Sequence, residues 1–262
     1  MRYNVELGHI PSREYKPRKA GITMVMDKGI SLRQAQDFVD VSAEFVDYVK
    51  LGFGTSVISR NVKEKIRLYQ KAGIKVYVGG TLFEAFIVRN KFIDYLKYID
   101  DLGLDSAEVS DGSIELDHDK KCEYISTLAK NYTVLSEVGS KEEGVIIHPA
   151  RWIKMMQSEL DAGANKVIAE ARESGQVGIF HKNGSAHTLL INRIVSKVKL
   201  ENIIWETPQK SQQVYFLKLF GANVNVGNIA VDDVIPLETL RLGLRGDTFF
   251  TFLPDKMKEE NG

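Results

Sequence analysis

Eight short runs rich in valine and isoleucine, most of them followed by a stretch with helical spacing of apolar residues, constrain this chain more than any other feature of it. The runs are GITMVMD (21–27), FVDYVKLG (45–52), IKVYVGG (74–80), SAEVSDG (106–112), YTVLSEVG (132–139), KVIAEAR (166–172), IIWETP (203–208) and NVNVGN (223–228). Their length and β-branched content are those of buried strands. Between them, SLRQAQDFVDVSAEF opens on Ser31, a suitable N-cap, and carries Leu32, Ala35, Phe38, Val39 and Ser42 on one face. Other intervening segments run to Gly73, Gly103, Gly163 and Gly221, residues suited to end a helix before a strand.

Alternation of this kind predicts a parallel sheet whose crossovers are helices. Eight units close more readily as a barrel than as an open sheet, so the expected fold is α/β, a single (β/α)8 TIM barrel with a closed eight-stranded parallel sheet. An open doubly wound sheet is the alternative. No Pro-, Gly- or Ser-rich linker divides the sequence, so residues 1–262 read as one domain, with a polar N-terminal extension at 1–19 and a polar tail at 251–262.

Charge and cysteine content narrow the function. Lys plus Arg and Asp plus Glu both total 35, leaving no basic field to suggest nucleic acid. No apolar run approaches the roughly 18 residues of a membrane span, and the N-terminus lacks an apolar signal core. The single cysteine, Cys122, excludes an intrachain disulfide and fits a reducing cytosol. These features predict a cytoplasmic protein acting on small molecules, with no nucleic acid or membrane as partner; a homo-oligomer is the expected assembly, though none of these features bears on it.

In a parallel sheet covered by helices the strand interiors should be apolar, so charged residues at strand exits call for a reason. Such residues stand at nearly every exit: Asp27, Lys50, Glu108 with Asp111, Glu137 with Lys141, Glu170 with Arg172 and Glu173, and Glu206, with Asn225 and Asn228 last. Barrel active sites lie at that end of the sheet. Any one of these residues alone reads as well as a helix cap or a solvated loop group. Glutamates 108, 137, 170 and 206 crowded together would repel unless cations intervene, and oxygen-only ligands favour Mg2+ over Zn2+. The expected metal ligands are Glu108, Asp111, Glu137 and Glu170, while His148, His181 and His187 lie in connecting segments.

Gly79 and Gly80 with Thr81, and Gly227 with Asn228, either form tight turns or let backbone amides approach a bound anion. The stretch LETLRLGLRGDTF, with Arg241, Arg245 and Asp247, offers a second cationic contact or a subunit interface.

The motifs VMDKG, KLGFGTS, GGTLFE, EVSDGSIEL, LSEVGSK, IAEARESG, IIWETPQKSQQ, VNVGNI and LETLRLGLRGDTF, in this order between about Ala20 and Phe250, resemble the phosphosulfolactate synthase family. The resemblance implies Mg2+-dependent addition of sulfite to phosphoenolpyruvate, giving (2R)-phospho-3-sulfolactate for coenzyme M or sulfolactate biosynthesis. Sulfite is itself a sulfur nucleophile, so no covalent nucleophile is required of the protein. Its attack builds negative charge that metal and cationic side chains must stabilise before C2 is protonated. Lys141 is the expected proton donor, with Lys50 as the alternative; Arg172 would pair with an anionic group of the substrate and Glu206 completes the catalytic set. Gln209, with Ser211 and Gln212, would face the phosphate or cap the next helix. A homologue kept for a stress or interaction role, or a barrel lyase for another phosphorylated enol or keto acid, are the competing readings.

Overall fold

The computed structural model describes residues 3–139, 148–171 and 174–261. Eight strands form one parallel sheet: β1 (Thr23–Asp27), β2 (Tyr48–Leu51), β3 (Lys75–Val78), β4 (Ser106–Val109), β5 (Thr133–Val138), β6 (Lys166–Ala169), β7 (Ile203–Glu206) and β8 (Val226–Ala230). Their order, β3-β2-β1-β8-β7-β6-β5-β4, wraps the sheet into a nearly closed (β/α)8 barrel. Across the seam between β3 and β4, side chains substitute for a backbone ladder. Asp105 Oδ1 accepts from Val76 N at 3.3 Å, and Glu108 Oε1 accepts from Gly80 N at 2.6 Å.

The two-residue period of a strand sorts its side chains into two cores. One set, including Val49, Val76, Ala107, Val134, Val167, Ile203 and Val226, packs with the surrounding helices. The other, Ile22, Met24, Tyr48, Tyr77, Leu135, Ile168 and Ile204, forms a separate small cluster that fills the barrel. Two residues beyond Tyr48, Leu135, Ile168 and Ile204 come Lys50, Glu137, Glu170 and Glu206. The same alternation that packs the barrel interior therefore sets a charged layer on top of it, at the strand exits.

The helix Leu32–Ser42 starts as expected at Ser31, whose Oγ accepts from Gln34 N while Gln34 Oε1 accepts from Ser31 N at 2.9 Å. The helix Phe92–Leu102 ends on left-handed Gly103. Two boundaries differ from the sequence expectation and matter for the site. The third run stops at Val78, and a helix, Gly80–Ile87, begins at once, so Gly80 starts a helix rather than ending a strand. The last strand begins at Val226, which puts Asn225 at the opposite end of the barrel. Its side chain there accepts from Ile22 N and donates to Ile203 O, both at 3.0 Å.

That opposite end is tied by arginines. Arg13 binds Glu238 at 2.8 Å and Arg18 binds Asp47 at 3.1 Å, so part of the polar N-terminal extension is buried against the barrel. Arg241 is fully buried, donating to Val224 O at 2.8 Å and Ile22 O at 3.2 Å. It is thus a structural tie and neither a substrate contact nor an exposed interface residue, since a buried guanidinium needs its donors satisfied. Among the described residues, no helix is long and apolar enough to cross a membrane.

Candidate active site

A cavity of about 430 Å3 opens over the charged layer. Its lining includes Lys50 from β2, Gly79, Gly80 and Thr81 after β3, Glu108 from β4, Glu137 from β5, Glu170 after β6, Glu206 from β7 and Asn228 from β8. Lys50 stands at the centre of these charges. Its Nζ lies 3.0 Å from Glu206 Oε1, 3.5 Å from Glu108 Oε2 and 3.8 Å from Glu137 Oε2. Burial alone would lower the pKa of this ammonium, but Glu108, Glu206 and Glu137 outweigh it and hold the group well above the usual lysine value. Lys50 is a fixed positive charge in this arrangement.

Glu206 also anchors the backbone, its Oε2 accepting from Ala171 N at 3.0 Å. Asn228 adopts φ +55°, a conformation that asparagine tolerates better than most residues, and its buried Oδ1 has no hydrogen-bond partner among the described residues. Gly80 could carry no side chain here. A Cβ at that position would sit 2.6 Å from Ser110 Cβ and 2.7 Å from Glu108 Oε1.

Among the described lining residues, four carboxylates share the cavity with one ammonium. Glu137, Glu170 and Glu206, all buried, can each offer one oxygen, and these oxygens lie within 4.8 Å of one another. Hard carboxylate donors at that spacing fit Mg2+.

The geometry redistributes the residues singled out in the sequence. Glu137 and Glu170 fall in the metal-sized trio as expected ligands, and Glu206 joins them although expected among the catalytic groups. Glu108 lies beside Lys50, with one oxygen committed to Gly80 N. Asp111 is not in the lining: it faces Lys121 at 2.9 Å. Asp27 is likewise used structurally, bound by Lys65 at 2.7 Å and by Tyr69 Oη at 3.0 Å.

Gln209 caps its helix with Gln212 and donates to Ser174 O at 2.6 Å, reaching the loop beside the cavity instead of lining it. Gly227 is required by packing, because a Cβ there would meet Met24 Cε at 2.6 Å and Ile204 Cγ2 at 2.9 Å. Lys141, Arg172 and Glu173 lie outside the described residues.

Two supports escaped the sequence reading. Fully buried Lys121 binds Asp111, Glu159 Oε1 at 3.0 Å and the carbonyl of Glu137 at 2.6 Å, fixing the backbone of a cavity glutamate from behind. In HDKKCEY it reads as part of a solvated charge run, yet it shares helical spacing with buried Ile125 and Leu128. Buried Glu84 accepts from Ser110 Oγ and, at 2.9 Å, from Ser113 N, linking the GGTLFE helix to the loop after β4.

A nearly closed α/β barrel with a buried lysine and converging carboxylates at its C-terminal mouth has the layout of a barrel enzyme. Residues 11–247 match the family described as (2R)-phospho-3-sulfolactate synthase (ComA). The chain is 44% identical over 243 residues to the phosphosulfolactate synthase of Methanocaldococcus jannaschii, covering 90% of this chain and 96% of that one. It is 41% identical over 244 residues to the phosphosulfolactate synthase of Methanothermobacter thermautotrophicus, covering 91% and 95%. The chain belongs to the phosphosulfolactate synthase family. Among solved structures, the YdjI aldolase of Escherichia coli is similar in fold alone, with a TM-score of 0.55 at 10% identity, covering 82% of this chain and 76% of the aldolase.

Proposed function

We propose that the enzyme adds sulfite to phosphoenolpyruvate in an Mg2+-dependent reaction, giving (2R)-phospho-3-sulfolactate in the cytoplasm. The observation that carries this reading is the cavity itself: Lys50 amid four glutamates, at the mouth of a chain with this family membership. Both substrates are anions, so receiving them among carboxylates requires positive charge close by. Glu137, Glu170 and Glu206 would hold Mg2+, which when bound supplies divalent charge and Lewis acidity to the substrate carboxylate.

The sulfur lone pair of sulfite attacks the methylene carbon of phosphoenolpyruvate. A carbon–sulfur bond forms, the π electrons move toward C2 and its carboxylate, and one proton completes the product at C2. Lys50, kept charged by its neighbours, balances the growing negative charge and holds Glu108 and Glu206 in place. That task occupies Lys50 in this scheme. The proton donor is therefore assigned to Lys141 and an anion contact to Arg172, both on the strength of the motif resemblance. Thr81 and Asn228 supply polar groups to the same lining.

Phosphorus NMR tests this reading. Purified protein with Mg2+ should convert the phosphoenolpyruvate resonance to that of a new phosphate ester only when sulfite is added. Unchanged phosphoenolpyruvate under those conditions refutes it, and consumption with another nucleophile but not with sulfite redirects it to a different substrate.

A further inference from the structure

Phe53 lies at the rim of the cavity in a conformation that its side chain disfavours: φ +54°, ψ +26°. Left-handed backbone crowds any Cβ, and a bulky residue there is an outlier. The flanking residues are both glycine, yet the strained position between them holds a phenyl ring. That ring is 55% exposed and belongs to neither core cluster, so folding gains little from it. The surroundings impose the strain. A Cβ on buried Gly52 would come 3.1 Å from Met26 Cγ, and Thr55 Oγ1 donates to Gly52 O at 2.8 Å, fixing the turn on both sides.

We propose that Phe53 is a substrate-covering residue. With phosphoenolpyruvate and sulfite in place, its ring folds over the mouth and expels water from the charged layer. Exclusion of water strengthens the interactions of Lys50 and the glutamates with the substrate, and leaves protonation of C2 to the enzyme's own acid on one face. The inference rests on the proposed reaction and adds a determinant of rate and of stereochemical purity.

The test compares wild type with Phe53→Gly and Phe53→Tyr for turnover, product chirality, Tm and oligomeric mass. Glycine accepts the left-handed turn without strain, so Phe53→Gly should raise Tm by about 2 °C. It should also lower kcat/KM by about 10- to 100-fold and add the (2S) product. Phe53→Tyr should keep kcat/KM within about threefold of wild type. Unchanged kcat/KM in Phe53→Gly overturns the proposal, as does a rate loss that only tracks a lowered Tm. A changed oligomeric mass does so too, by making Phe53 an interface contact. Wild type that turns over in parallel shows that the fault lies with Phe53, whereas inactive wild type refutes the assigned reaction and this inference with it.

Discussion

Lys50 and Lys121 are both buried lysines held by carboxylates, and they stand on opposite sides of Glu137. Lys121 is matched: Asp111, Glu159 and the Glu137 carbonyl take up its three donors, and Glu159 is further bound by Ser136 Oγ at 2.6 Å. Lys50 has three carboxylates within 3.8 Å and a cavity above it. A buried lysine whose donors are all taken up inside the fold works as a strut. One set among carboxylates under an open cavity has room to meet a ligand.

The comparison is broken most directly at Lys50. Lys50→Ala should lower kcat/KM by about a thousandfold. Its loss of Tm should be smaller than that of Lys121→Ala, because water and cations can enter the cavity; the reverse order in thermal melts would erase the distinction. Lys121→Ala leaves buried Glu159 and partly buried Asp111 without their cation and should cost about 3–5 kcal/mol, read by urea unfolding. Activity per folded molecule should stay within about tenfold of wild type, since Lys121 touches only the backbone of Glu137.

Removal of divalent cations sharpens the contrast. Chelation should abolish turnover, and Mg2+ at a hundredfold excess over its Kd should stabilise wild type by about 2.7 kcal/mol. Calorimetry should show that gain lost in Glu137→Gln with Glu170→Gln, whereas Lys121→Ala should retain it. The smallest effect concerns Lys16, which among the described residues donates to the carbonyls of Ala43 and Ala72. Burial, with a lesser push from Arg18, lowers its pKa to about 8, although Asp47 opposes the shift.

Because the unfolded chain holds that proton up to the ordinary value of 10.5, stability should rise with pH between about 8 and 10.5. Lys16→Met should flatten this window in pH-dependent melts. Lys50 has the opposite sign: its raised pKa gives stability that is full below the ordinary lysine value and is lost only as pH rises through the higher folded value.

These contrasts explain what the sequence makes legible. A strand's period of two is visible in a string of letters, so the barrel and the charged exits Lys50, Glu108, Glu137, Glu170 and Glu206 can be read without coordinates. Asp111 follows the same strand and carries the same charge, but its chain has already turned toward Lys121. Two residues past a strand end, periodicity no longer fixes direction, although at Glu170, one residue past its strand, it still does. Gly227 shows the converse: a glycine at a strand exit suggests ligand access, whereas its reason lies in Met24 and Ile204 across the barrel. Arg13, Arg18 and Lys121 look like surface charges because their partners, Glu238, Asp47 and Glu159, are distant in sequence or on another element.

The seam between β3 and β4 gives Glu108 a double duty. One oxygen of the carboxylate fastens the last gap in the barrel wall, and the other faces Lys50. The contact that closes the barrel wall and the contact that meets Lys50 are thus made by one side chain. A barrel whose β3 and β4 edges have not met has no Glu108 set beside Lys50.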